Sequence, residues 1–324
     1  MNHRSAPDIA AAAALLQIGA ELRIDHILES GDTFSAADLA ELTQVPEHRI
    51  AEYVGALVAA GLVGETETTG QFRASDDYAD WKHEAGYVSW ALSANSPFIE
   101  KARDFLIDRD SAAEISKRDG RRVAVSSRWI GEQTFYPAVI NRVVAAGATR
   151  VADLGAGAAG LLIRLLQQDS ARMGLALDIS AAACTAAREA AVRSGVSDRL
   201  EVVERPIESL VEDSSQIDGA NAILACFVLH DIIQDDDLSD SVLHSCYSAL
   251  APGGFMAVVD AVSYAQGERE RKFSALFTYL HANFMKVHLP SEKAWLDKFN
   301  SAGFSQVEST SEVTPGGRLF VATK

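Results

Sequence analysis

Residues 227–237 read FVLHDIIQDDD, an apolar run that leads straight into an imidazole and a carboxylate, His230 and Asp231, and then into acid. Two chemistries suit such a pair. An imidazole titrates close to working pH, so His230 can serve as a general base that takes a proton from a substrate hydroxyl. Alternatively, His230 and Asp231 supply two ligands of a two-histidine, one-carboxylate face on iron(II), which leaves coordination positions open for substrate. The segment LHANFMKVHLPSEKAW, residues 280–295, carries two candidates for the third ligand, His281 and His288. Ligands from distant segments have no fixed separation, so both imidazoles and both chemistries stay open. The bland reading is a histidine that caps a strand end. Against it, the carboxyl ends of strands in doubly wound sheets face the ligand crevice.

The second chemical signature is VADLGAGAAG, residues 151–160. Its glycines follow a predicted strand and open a predicted helix, where they let backbone approach a ligand and let the turn tighten. That spacing alone would suit a dinucleotide. Asp153, however, precedes the first glycine, and a second acid, Asp178, ends the next strand in LALDIS, placed to accept hydrogen bonds from both ribose hydroxyls. A third signature is SSRWIGEQTFYPAV, residues 126–139, in which Arg128 lies among Trp129, Phe135 and Tyr136. A guanidinium offers a planar fork of donors that matches a carboxylate. An arginine on an exposed face is the plain alternative.

These residues need a scaffold. The second half alternates short apolar or β-branched runs (TRVADLG, MGLALDI, LEVVERP, GANAILACFVLH, GFMAVVDAV) with helical stretches such as LLIRLLQQ and AAACTAAREAAVRSG. That rhythm predicts an α/β fold with a parallel sheet and crossover helices, and GFSQVESTSEV with GRLFVATK predicts a closing pair of strands. The first half is helical. SAADLAEL (35–42) and PEHRIAEYVGALVAAGLV (46–63) are followed by GETETTGQFRAS, which reads as two short polar strands, the outline of a winged helix. Its would-be recognition helix carries Glu47, His48, Arg49 and Glu52, too little positive charge to hold a phosphate backbone. A dimerisation or lid module is the expected use.

The 324 residues suffice for two domains, each with its own core. A net charge of −16 argues against a nucleic-acid partner. Three scattered cysteines without a CxxC pair suggest neither a disulfide framework nor a thiolate zinc site, and fit a reducing cytoplasm. The run IAAAAALL (9–16) is too short to span a bilayer and continues with helical spacing.

With VADLGAGAAG, Asp178 and LAPGGFMAVVD (250–260) in place, the second half resembles the class I S-adenosylmethionine-dependent methyltransferases. With the winged helix in front, the whole chain is similar to small-molecule O-methyltransferases of natural-product pathways, whose dimers swap N-terminal helices and whose His-Asp pair deprotonates a phenol. A narrower resemblance is to non-haem-iron-dependent α-keto acid C3-methyltransferases. It rests on Arg128, Ile130, Glu132, Phe135, Pro137 and Ala138, on Cys226, Phe227, His230 and Asp231, on His281 ahead of Val287, Leu289 and Pro290, and on Trp90. The stretch between Phe227 and His230 is one residue shorter than in that family, and His281 lies one residue further from Leu289 and Pro290.

The resemblance implies a doubly wound seven-stranded Rossmann-like domain over 148–324, a helical winged-helix dimerisation domain over 1–110, and pocket-lining helices over 111–147. Asp153, Gly155, Gly157, Asp178 and Phe227 would hold S-adenosylmethionine, and His230, Asp231 and His281 would hold iron(II). Arg128 would grip the carboxylate of an α-keto acid methylated at C3, a step toward a methylated amino acid of a natural product such as an antibiotic. O-methylation with His230 as base is the alternative.

Overall fold

The computed structural model describes residues 4–311 and 313–324. The chain divides into two compact units, Met1–Asp104 with Ser111–Gln133 and Phe105–Asp110 with Thr134–Lys324.

The first unit is mainly helical. Its opening helix, Ala6–Glu21, starts at Ser5, whose side chain accepts from the Asp8 N–H. Ala36–Thr43 starts with a reciprocal capping box between Ser35 and Asp38, which satisfies donors that a helix start otherwise leaves unpaired. Glu47–Ala59 follows Pro46. Two short antiparallel strands, β1 (Val63–Glu65) and β2 (Phe72–Ala74), come next, and Phe34 bridges to Phe72. Leu16, Leu39, Ile50, Leu57 and Trp129 fill the core of this unit.

The second unit is built on a sheet of seven strands: β3 (Arg150–Leu154), β4 (Met173–Asp178), β5 (Leu200–Glu204), β6 (Ala220–Cys226), β7 (Leu250–Ala261), β8 (Gln306–Thr310) and β9 (Gly317–Thr323). Their spatial order is β5-β4-β3-β6-β7-β9-β8. β3 to β7 run parallel, and β9 is antiparallel to both β7 and β8. Parallel strands covered on both faces need apolar residues at every position, which is why Ala222, Ile223, Leu224 and Ala225 are consecutive and buried. The strand order reverses between β3 and β6, so the crevice of such a sheet opens at the carboxyl ends of these two strands.

β6 stops earlier than its apolar run predicts. Phe227 has a left-handed backbone (φ 54°) and donates its N–H to Val259 O at 2.7 Å. A non-glycine residue there costs about 1–2 kcal/mol. The bend ends the strand at Cys226 and turns Leu229–Asp231 into one turn of 3₁₀ helix. His230 therefore lies on a turn at the crevice, not on a strand.

Candidate active site

The glycine turn follows β3. Gly155 and Ala156 donate their N–H groups to Leu177 O on β4, at 2.8 and 3.1 Å. Gly155 has φ +69°, and a Cβ built on it would stand 2.6 Å from Val228 Cγ2. Glycine is thus required twice, by conformation and by the approach of the β6 turn. Gly160 is under no such demand, since a Cβ there would meet nothing nearer than Tyr136 Oη at 3.7 Å. Asp178 closes the turn from β4: its carboxylate accepts from Gly157 N and Ser180 N, both at 2.8 Å. A carboxylate has about four acceptor sites, so two backbone donors leave capacity for ligand hydroxyls. Asp153 is buried, and burial together with the Asp178 charge pushes its carboxyl up to about 8.

His230 is anchored across the sheet by a residue that the sequence reading passed over, Asp260 near the end of β7. Asp260 is fully buried. Its Oδ1 lies 2.7 Å from His230 Nδ1 and accepts the Ala261 N–H at 2.7 Å, while Oδ2 accepts the His230 backbone N–H at 3.1 Å. An ionised carboxylate only accepts, so the ring carries its proton on Nδ1, and in the neutral ring the Nε2 lone pair is the basic atom. Asp231 does not orient this ring: its Oδ1 stands 3.5 Å from Nε2, and its side chain is 57% exposed. An acid ending an apolar strand, the VVDA of GFMAVVDAV, was the available signal.

His281 lies beside His230, with ring centroids 5.1 Å apart and planes at 84°. It begins a π-helical turn, His281–Met285, at the end of the helix Arg271–Leu280. Such turns widen the helix and often mark functional positions. The His281 Nδ1 lies 2.7 Å from Phe277 O. A carbonyl also only accepts, so the neutral His281 ring likewise has its lone pair on Nε2. Phe277 stacks on His281 at 4.0 Å and meets the ring of Phe227 at 6.0 Å, and Phe227 in turn meets Phe135 at 5.4 Å. His288 is exposed; its backbone N–H donates to Gln234 Oε1 at 2.8 Å. Among the described residues, no group of three or more His, Cys, Asp or Glu side chains is arranged to hold a metal ion.

Arg128 belongs to the first unit, where its guanidinium pairs with Glu29, with Asp25 at 2.8 Å and with Glu132 at 3.3 Å. The fork expected to meet a substrate carboxylate thus has carboxylates of its own chain. Trp129 donates Nε1–H to the same Glu29 at 3.2 Å, and Lys82 adds a second cation at 3.2 Å. Burial raises the Glu29 carboxyl, but the charges of Arg128 and Lys82 outweigh it and hold the group below its ordinary value. Arg128→Ala leaves a buried carboxylate with one cation fewer, so we expect a loss of about 3 kcal/mol of stability, measured by chemical denaturation. Because the folded Glu29 is depressed, its contribution is present above its unfolded pKa and fades as pH falls through the folded value. Wild type should therefore lose its advantage over the variant in acid.

A family model described as a methyltransferase domain matches residues 152–256. A curated relative, aclacinomycin 10-hydroxylase RdmB of Streptomyces purpurascens, is 24% identical over 314 residues, covering 90% of this chain and 80% of that one. Among solved structures, the S-adenosylmethionine-dependent methyltransferase SibL in its apo form superposes with a TM-score of 0.57 at 19% identity, covering 97% of this chain and 96% of that one. PigF with SAH gives 0.58 at 17% identity, covering 96% of both chains. These likenesses extend over both units and show a shared fold.

Proposed function

We propose that this S-adenosylmethionine-dependent methyltransferase, marked as one by its methyltransferase domain over residues 152–256, methylates a small-molecule acceptor that His230 deprotonates. The observation that carries the reading is the 2.7 Å contact between His230 Nδ1 and the buried Asp260. It fixes the proton on Nδ1 and makes Nε2 the basic atom of the neutral ring. Asp260 then stabilises the imidazolium that forms. The acceptor's electron pair attacks the sulfonium methyl in line, the old sulfur–carbon bond breaks, and S-adenosylhomocysteine leaves; positioning supplies much of the acceleration. Gly155 and Gly157 would face the methionyl and ribose parts, Asp178 the ribose, and Phe227 the crevice beside them. The acceptor is a phenol or hydroxyl of a natural-product intermediate. The first unit serves as a winged-helix-like dimerisation module.

One observation favours a second reading, C3-methylation of an α-keto acid. His281 stands beside His230, and both rings have their Nδ1 atoms tied to acceptors, which in the neutral rings puts the lone pair on Nε2, the tautomer that a histidine bound to a metal through Nε2 requires. Iron(II) on His230, Asp231 and His281 would supply Lewis acidity. The three side chains do not form a ligand set as they stand. His230 can equally remove the acidic proton beside a ketone.

The test is incubation with S-adenosylmethionine and panels of hydroxylated aromatics and α-keto acids, with and without chelator, followed by mass spectrometry. Methyl on oxygen, insensitive to chelation, is the expected result. Methyl on carbon, lost on chelation and restored by iron(II), favours the second reading. A hydroxylated product, the activity in the name of RdmB, overturns both.

A further inference from the structure

The two neighbouring imidazoles come from distant segments: the turn after β6 carries His230, and the π turn after the helix Arg271–Leu280 carries His281. Their rings nevertheless stand 5.1 Å apart. An exposed side chain, Gln234, spans the two segments. It follows the base-bearing turn, between the buried Ile233 and Asp235, the cap of the next helix. Its Oε1 accepts the His288 backbone N–H at 2.8 Å. Its Nε2 donates to His288 O at 3.2 Å and, less closely, to His230 O at 3.4 Å. A backbone N–H only donates and a carbonyl only accepts, so these partners settle the orientation of the amide. His288 is flanked by Val287 and Leu289, both buried. Lys286 and Val287 donate their N–H groups to His281 O, the latter at 3.0 Å, and Pro290 O accepts from Ser263 N, just beyond β7, at 2.9 Å. A short path therefore leads from the His230 carbonyl through the Gln234 amide and the backbone of His288 and Val287 to the carbonyl of His281.

We propose that Gln234 is a positioning residue for methyl transfer: its amide holds the segment bearing His281 against the turn bearing His230, and so fixes the spacing of the two rings beside which the acceptor meets the base. The inference rests on the reading of His230 as the base and deepens it. Gln234 acts through two backbones, not by touching acceptor or cofactor. Misplacement of a reacting group by about 1 Å can cost roughly 10²-fold in rate, so loss of this clasp should be read in turnover of the acceptor and not in binding of S-adenosylmethionine.

The experiment compares wild type, Gln234→Ala, Gln234→Glu and His230→Ala in the full chain, with S-adenosylmethionine and the acceptor on which wild type is most active. Gln234→Ala should lower kcat/KM for the acceptor about 10- to 100-fold and leave the dissociation constant for S-adenosylmethionine unchanged. In histidine-labelled protein, the nuclear Overhauser contact between the His230 and His281 rings should weaken. Gln234→Glu keeps the side chain's length and an acceptor for the His288 N–H, but turns its second oxygen toward two carbonyls. It should be as impaired as alanine, whereas a side chain that merely filled space would tolerate the change. Wild-type kcat/KM in either variant, or an unchanged ring-to-ring contact, overturns this inference alone when His230→Ala is impaired. A parallel loss of S-adenosylmethionine affinity marks a general structural role and overturns it as well. His230→Ala at the wild-type rate, or no methyl transfer by wild type to any acceptor, overturns the base reading and the inference with it. Should Gln234→Ala fail to fold, Gln234→Glu decides.

Discussion

Alanine at His230 should lower kcat by about 10²–10⁴-fold, the range that a positioned general base supplies, with the dissociation constant for S-adenosylmethionine unchanged. The expectation follows from placement. The ring is nearly buried, its Nδ1 is tied to Asp260, and its position on the turn after β6 puts it at the crevice, next to the loop that packs on Gly155. Removing the ring takes away the proton acceptor but none of the backbone that shapes the glycine turn. Asp260 keeps the N–H groups of His230 and Ala261, so loss of one charge-assisted hydrogen bond should cost about 1–3 kcal/mol, visible as a lower denaturation midpoint. Free imidazole added to the variant should restore part of the rate, since a diffusible base can enter the space the ring vacated. A variant that turns over at the wild-type rate would show that no proton passes through this residue.

The scaffold was largely legible because its signals are local. Parallel strands covered on both faces must be apolar throughout, and each such run became a strand within a few residues of its expected ends. The glycine turn was legible for the same reason: one backbone conformation and one close approach select the residue type at Gly155. What escaped was set by tertiary neighbours. Asp260 lies 30 residues from His230 and meets it only because β6 and β7 pair in parallel, so the adjacent acid, Asp231, looked like the partner. The guanidinium of Arg128 found carboxylates about a hundred residues upstream, a distance at which spacing carries no information. Of the acids after Ile233, Asp235 acts locally, capping the helix Asp236–Ala249 by accepting from Leu238 N, whereas Asp236 pairs with the distant Lys298 at 2.9 Å. His281 comes beside His230 from the start of a π turn, a feature that no periodicity announces.

Asp260→Asn should be nearly as damaging as loss of the imidazole, for a reason that turns on a single proton. Both oxygens of Asp260 accept: Oδ2 from the His230 N–H, Oδ1 from the His230 ring and from the Ala261 N–H. An amide of the same shape has one oxygen and one NH₂, so either orientation sets a donor against donors. With NH₂ at the Oδ2 position, it opposes a backbone N–H that cannot change, and the turn carrying His230 is pushed from its place. With NH₂ at the Oδ1 position, the Ala261 N–H is opposed and the His230 ring can respond only by moving its proton to Nε2. The basic atom is then blocked. A histidine held in the wrong tautomer costs about 10⁴-fold in turnover where the same carboxylate-to-amide change has been made beside a catalytic imidazole, and a fall of roughly 10³–10⁴-fold is expected here. Nitrogen chemical shifts of the His230 ring report the tautomer directly, and kcat measured on the same sample ties it to function. Asp231→Asn separates the two acids, since a half-exposed side chain 3.5 Å from Nε2 should leave the ring's proton where it is. If Asp231→Asn abolishes turnover while Asp260→Asn retains both the rate and the Nδ1 proton, the carboxylate that matters is the adjacent one, and the base assignment must yield to a site in which Asp231 binds directly.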